Sequence, residues 1–93
     1  METETFDNVF DALCDTAAEA ANMKARAELM IGIRERVKAW GIAQQEAAKR
    51  LGLTRPRLND LMRGKIDKFS LDALVNIATA AGYTLHIELE EAA

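Results

Sequence analysis

Side chains that can bind an anion or make directed hydrogen bonds are concentrated between Gln44 and Lys65. Arginine and lysine bind phosphate-like anions, while amide, hydroxyl and carboxylate groups recognise polar edges. The candidate set is Gln44, Gln45, Thr54, Arg55, Arg57, Asn59, Asp60, Arg63 and Lys65. Such a set favours noncovalent recognition over bond-making chemistry.

Catalytic chemistry has little support in the sequence. Ser70, Cys14 and His86 are the chain's single serine, cysteine and histidine, and they lie far apart. Covalent catalysis needs a nucleophile with an adjacent base, and a metal site needs clustered ligands. The chain also lacks a glycine-rich phosphate loop. We therefore expect no enzyme, no cofactor and no metal.

Two short helices joined by a tight turn are predicted to position the candidate set. The first runs from Ala43 to Leu51 and is ended by Gly52, and the second is capped by Thr54 and ended by Gly64. Ala48 is small where the two helices must cross closely. We expect four apolar residues to fill the wedge between them: Leu51, Leu58, Leu61 and Met62.

Burial of that apolar set turns the polar side of the second helix outward. Helical geometry then exposes Arg55, Arg57, Asn59, Asp60 and Arg63. Arginine can bridge guanine O6 and N7, and asparagine can read adenine, so this surface suits a DNA major groove. Lys49 and Arg50 fit either a phosphate contact or a solvated face.

The charge distribution agrees with an anionic partner although the net charge is −3. Residues 24–65 carry eleven basic and four acidic residues, whereas residues 1–23 carry six acidic residues and no basic one. Residues 66–93 carry five acidic residues against Lys68. A basic middle between acidic ends is typical of nucleic-acid binding, and the alternative is a solvated helical surface of mixed charge.

Helices are predicted on both sides of this pair. Thr16 begins a long helix that ends near Gly41, with an apolar stripe formed by Met23, Ala27, Met30, Ile33, Val37 and Trp40. Leu29 and Ile31 lie off that stripe, so the helix is either covered on two sides or broken near residues 22–24. Ser70 caps a further helix, which buries Leu71, Leu74, Ala78 and Ala81 before Gly82.

The last residues change to a period of two, which predicts a strand. Its apolar positions are Tyr83, Leu85, Ile87 and Leu89. A lone strand leaves its backbone groups unpaired, so it needs a partner. That partner is either the segment Thr5–Phe10, which otherwise forms a loose arm, or the same strand of a second subunit.

A chain of 93 residues has room for a single core. We divide this one domain into an N-terminal arm or strand (1–15), a helical unit (16–82) and a C-terminal strand and tail (83–93). No apolar run is long enough to span a membrane. The acidic start METETFDNVF is unlike a secretory signal, and the lone Cys14 suits a reducing compartment, so we expect a cytoplasmic protein.

The segment GIAQQEAAKRLGLTRPRLNDLMRGK, residues 41–65, resembles the XRE (Cro-type) helix-turn-helix family of phage repressors. The flanking segments LMIGIRERVKAWG and LMRGKIDKFSLDAL, with NVF at 8–10 and LHIEL at 85–89, are similar to its small antitoxin-like branch. The resemblance spans most of residues 8–89. It implies a mainly α, lambda-repressor-like bundle that binds operator DNA as a homodimer.

The resemblance also implies roles for individual residues. Gln44 would contact phosphate and brace the second helix, Thr54 would cap that helix, and Lys65 would lie in a loop near phosphate. Arg55, Arg57 and Asp60 match positions that face bases or the adjacent backbone. Two departures weaken the match: Ala43 replaces a capping Thr or Ser, and Pro56 replaces a polar residue that reads a base in some members.

Three functions therefore stay open. The first is a repressor that is also the antitoxin of a toxin–antitoxin pair, whose acidic ends would suit a small basic toxin. The second is a stand-alone or phage-type repressor without a toxin. The third is a protein-interaction module whose helix-turn-helix does not bind DNA.

Overall fold

The computed structural model of this chain describes residues 16–92. These residues form four α-helices: α1 (Ala17–Trp40), α2 (Gln44–Leu51), α3 (Arg55–Met62) and α4 (Leu71–Ala80). A short 3-10 helix, η1 (Ile66–Lys68), connects α3 to α4. All of these helices lie within residues 16–82, whereas the predicted segment Thr5–Phe10 lies outside the described residues.

Helix α1 is a single helix of 24 residues, so the possible break near residues 22–24 does not occur. The Thr16 hydroxyl accepts a hydrogen bond from the Glu19 N–H at 3.0 Å, as a helix cap does. Gly41 ends the helix with a φ of 62°, in the left-handed region that glycine favours. Both predicted ends of α1 are confirmed.

The core lies where α1 and α4 pack against the α2–α3 pair. Its buried side chains are Met30, Ile33, Ala47, Ala48, Leu51, Leu58, Leu61, Phe69, Leu74, Ile77, Ala78 and Ala81. Met62 and Trp40 are only half-buried and pack against this cluster. Leu29 packs against this cluster, whereas Ile31 stays 53% exposed, so α1 is not covered on the side of Ile31.

Phe69 is a large core residue that the predicted apolar stripes leave out. It precedes the cap residue Ser70, whose hydroxyl accepts from the Ala73 N–H at 3.1 Å. An apolar residue before a cap often packs against the fourth residue of the helix, which here is Leu74. Phe69 and Leu74 are both buried, with exposures of 1% and 0%. The hydrophobic staple is thus the sequence signal that identifies Phe69.

The predicted C-terminal strand is not formed within the described part of the chain. Residues 83–92 adopt neither helix nor strand. The reason is physical: a strand exists only when a neighbour pairs with its backbone, and residues 16–82 supply helices alone. Within residues 16–92, no helix combines the length and apolar character that crossing a membrane requires.

Candidate nucleic-acid interface

The local sequence of α3 explains how its polar face is presented. The Thr54 hydroxyl accepts from the Arg57 N–H at 3.3 Å and caps the helix. Pro56 lies in the first turn, where its missing N–H costs no hydrogen bond. Leu58 and Leu61 are completely buried, so the helix cannot rotate about its axis. The predicted cap and the predicted buried face of α3 are both confirmed.

Three polar side chains share the exposed face of α3. Arg55, Asn59 and Arg63 are spaced four residues apart, which puts them in one row along a helix. All three are exposed, and Arg63 is the C-terminal cap residue. The row therefore presents two guanidinium groups and one amide to solvent.

The start of α2 lies beside α3 in the motif and is also exposed. Gln44 and Gln45 occupy its first turn and are solvent-accessible, while Ala47 and Ala48 are buried against the core. Ala43 makes no side-chain cap hydrogen bond, because its methyl group has no acceptor atom. The first N–H groups of α2 thus lack a side-chain acceptor, and the positive end of the helix faces solvent.

Arg57 has a different environment from the exposed row. Its Nη1 donates to the Lys68 carbonyl at 2.7 Å. Its guanidinium carbon lies 4.0 Å from the centre of the Phe69 ring, a distance typical of a cation–π contact. Arg57 therefore links α3 to η1 and covers the buried phenylalanine, so part of its hydrogen-bonding capacity is already used.

Asp60 and Lys65 interact with each other at the end of α3. The Lys65 ammonium lies 3.6 Å from an Asp60 carboxylate oxygen, and the Lys65 N–H donates to the Asp60 carbonyl at 3.1 Å. Gly64 lies between them with a φ of 75°, in the left-handed region. The turn thus fixes Lys65 next to the exposed row, although its charge is partly balanced by Asp60.

Two arginines of α1 complete this side of the molecule, and the sequence analysis missed both. The Nη1 of Arg26 donates to the carbonyls of Ile66 and Phe69, at 3.3 and 3.2 Å. Arg34 lies next to Gly64: a Cβ added to this glycine would be 3.4 Å from the Nη1 of Arg34. Arg26 follows Met23 by three residues and precedes Met30 by four, so its place on the apolar stripe could have revealed its inward direction.

Residues 16–92 contain no group of His, Cys, Asp or Glu side chains that could hold a metal ion. His86 lies in the C-terminal segment, where its Nε2 is 3.8 Å from a Glu88 carboxylate oxygen. The candidate interface is thus a polar, mainly basic helix face.

A protein-family model described as a helix-turn-helix domain matches residues 12–90. The match covers most of the chain and includes all four described helices, so the chain belongs to this helix-turn-helix family. It agrees with the geometry, since α2 and α3 are the two helices that such a motif requires. A search of curated proteins finds no match to the chain.

Proposed function

We propose that this protein is a sequence-specific regulator of transcription that inserts α3 into the major groove of double-stranded DNA. The observation that carries the proposal is the exposed row of Arg55, Asn59 and Arg63 on a helix whose other face is fixed in the core. Membership of the helix-turn-helix family supports it. Such helices read base edges with residues of their N-terminal half.

The contacts divide into base-reading and positioning groups. We assign base reading to Arg55 and Asn59, because both are exposed on the N-terminal and central turns of α3. We assign phosphate contacts to Gln44, Gln45, Thr54, Arg63 and Lys65. Arg57 holds η1 in place through Lys68, and base reading by Arg57 stays a prediction. Asp60 orients Lys65.

Titration of a DNA fragment from upstream of the protein's own gene tests the proposal. Binding of the wild-type chain should weaken steeply with salt, because counterions are released from the phosphates. Arg55→Ala should lose about 1–3 kcal/mol of binding free energy on the preferred site. Lys24→Ala is the matched control, since Lys24 is an exposed cation on α1 outside the motif, and it should bind as the wild type does.

One result would contradict DNA binding: an affinity for the fragment that does not change with salt. It would favour the protein-interaction module, in which the helix-turn-helix no longer binds DNA. An Arg55→Ala variant that binds as tightly as the Lys24→Ala control would instead remove Arg55 from the interface.

The proposal extends to a homodimer on a two-fold symmetric operator. Dimeric proteins of this class bind two half-sites about one helical turn, or about 34 Å, apart. A footprint of the titrated fragment should therefore show two protected half-sites with this spacing. Protection of one isolated half-site at saturation would contradict the dimer.

A further role as an antitoxin rests on the resemblance to that branch and on charge. Glu88, Glu90 and Glu91 are exposed in the C-terminal segment and would attract a basic protein. The test is the neighbouring reading frame: an adjacent gene for a small basic protein, toxic alone and harmless when both are expressed, supports the role. Without such a gene, the stand-alone repressor is the better description.

A further inference from the structure

The C-terminal segment carries three of the four large hydrophobic side chains that are exposed in the described part of the chain, and the fourth is Ile31 of α1. Leu85, Ile87 and Leu89 are 44%, 69% and 93% exposed, and they alternate with the polar residues His86 and Glu88. Within residues 16–92, the Tyr83 N–H, which donates to the Ala78 carbonyl at 3.0 Å, is the last backbone group of this segment with a backbone partner. The segment thus has the pattern of a strand without a neighbour.

An open apolar groove lies next to this segment. It has a volume of about 600 Å³ and is lined by Leu29 of α1 and by Leu71 and Val75 of α4. Ala25, Leu85 and Ile87 complete its apolar wall, and Glu28, His86 and Glu88 also line it. The apolar side of the segment therefore borders an uncovered part of the hydrophobic surface.

We propose that residues 83–91 of two copies of this chain pair as antiparallel strands about a two-fold axis through Ile87. This pairing gives a geometry to the homodimer of the proposed function and does not depend on DNA binding. The backbone groups left open in one copy would be satisfied by the other. The apolar side chains of both strands would lie on one face, above the groove.

Charge and hydrophobicity select this register. With Ile87 on the axis, Leu85 lies opposite Leu89 of the partner subunit, and His86 lies opposite Glu88 of the partner subunit. Two-fold symmetry repeats both pairs. Each polar pair then joins a carboxylate to the chain's single histidine, and each apolar pair joins two aliphatic side chains.

The neighbouring registers are worse. Moving the axis to Glu88 sets that carboxylate opposite Glu88 of the partner subunit and Leu85 opposite Glu91 of the partner subunit. Moving it to His86 removes both histidine–glutamate pairs. A shift that sets odd positions opposite even ones mixes apolar with polar side chains on each face.

A second copy also fits the groove better than the chain's own N-terminal segment does. Residues 1–15 contain five acidic residues and no basic one. Their charges would come close to Glu28 and Glu88, which line the groove. Like charges in contact oppose pairing, whereas a second copy supplies His86 to Glu88.

Disulfide trapping of the full-length chain tests the register. In a Cys14→Ser background, Ile87→Cys places two thiols opposite each other across the axis, within reach of a disulfide. Under mild oxidation, this variant should form covalent dimers at least about tenfold faster than Thr84→Cys or His86→Cys, whose positions do not face themselves. Equal rates for the three variants would overturn the proposal.

A mixture of two different single-cysteine chains tests the register without replacing any apolar residue. Thr84→Cys and Glu90→Cys chains, mixed in the same background, should form the cross-linked heterodimer in preference to either homodimer. If Ile87→Cys with native Cys14 instead gives an intramolecular disulfide and sediments as a monomer, the N-terminal segment occupies the groove and the proposal is wrong.

A charge exchange separates pairing from folding. His86→Glu creates two carboxylate pairs across the axis and should weaken dimerisation by about tenfold in sedimentation experiments without DNA. The double variant His86→Glu with Glu88→Lys should restore it to near the wild-type value. Undiminished dimerisation of His86→Glu, or no rescue in the double variant, contradicts the register. DNA affinity is measured separately, so failure of DNA binding is distinguishable from failure of pairing.

Discussion

Residues 65–70 and residues 83–92 both lie outside the α-helices, yet they differ in how the rest of the molecule holds them. The first segment contains η1 and is held by side chains from two helices: Arg26 donates to its Ile66 and Phe69 carbonyls, and Arg57 donates to that of Lys68. The second segment exposes Leu85, Ile87 and Leu89. The difference shows that irregular backbone is fixed where long cationic side chains from a neighbouring helix satisfy its carbonyls.

The same comparison explains a division of labour among the arginines. Arg26 of α1 and Arg57 of α3 both hold the connection between α3 and α4, because their guanidinium groups donate to its carbonyls. Arg55 and Arg63 are exposed on α3 and make no such bond to η1. The arginines therefore occupy two environments: Arg26 and Arg57 donate to backbone carbonyls, whereas Arg55 and Arg63 are exposed.

The largest expected effect comes from removing the apolar anchor of the first segment. Phe69→Ala should lower the free energy of unfolding by about 3–5 kcal/mol, because the phenylalanine is buried and its loss leaves a cavity. Urea denaturation followed by circular dichroism measures it. The conservative control Phe69→Leu should lose clearly less, and equal losses would show that cavity size does not set the cost.

Removing the carbonyl bonds of Arg26 should have the next largest effect. Arg26→Met keeps most of the aliphatic volume but leaves the Ile66 and Phe69 carbonyls without this donor, so we expect a loss of about 2 kcal/mol. The same denaturation assay applies, with Lys24→Met as the control on the exposed side of α1. Equal stabilities of the two variants would contradict a structural role for Arg26.

Arg57→Met should destabilise the fold by about 1 kcal/mol, less than Arg26→Met, because its bond to the Lys68 carbonyl is exposed to solvent. Methionine still covers the Phe69 ring. If Arg57 acts by positioning, Arg57→Met should reduce DNA affinity uniformly across operator variants. A loss confined to changes at one base pair would instead identify Arg57 as a base reader.

The smallest effect is expected in the second segment. Leu89→Ser should change the free energy of unfolding of the monomer by less than about 0.5 kcal/mol, because the side chain is 93% exposed. The assay is run at a dilution where sedimentation shows monomers. The same substitution should weaken dimerisation, since Leu89 pairs across the proposed axis. A large loss of monomer stability would mean that the segment belongs to the core of a single copy.

Much of the fold follows from local patterns. Caps and stops define the helices: Thr16, Thr54 and Ser70 accept the predicted hydrogen bonds, and Gly41 and Gly52 adopt left-handed conformations. These features are predictable because they depend on a few neighbouring residues. The C-terminal strand that the alternating pattern predicts does not form within the described residues, because strand pairing depends on a partner that periodicity does not identify.

The sequence by itself determined the four helices, the buried face of α3 and the polar row that the opposite face presents, since each depends on helical spacing. Only the tertiary structure decided which cationic side chains bind backbone carbonyls and which stay exposed to solvent. Helical spacing can show that Arg26 points inward, but the carbonyls that Arg26 and Arg57 bind, of Ile66, Lys68 and Phe69, are reached only after α1 and α3 pack around η1. Long-range hydrogen bonds to carbonyls have no local sequence pattern, so folding alone reveals them.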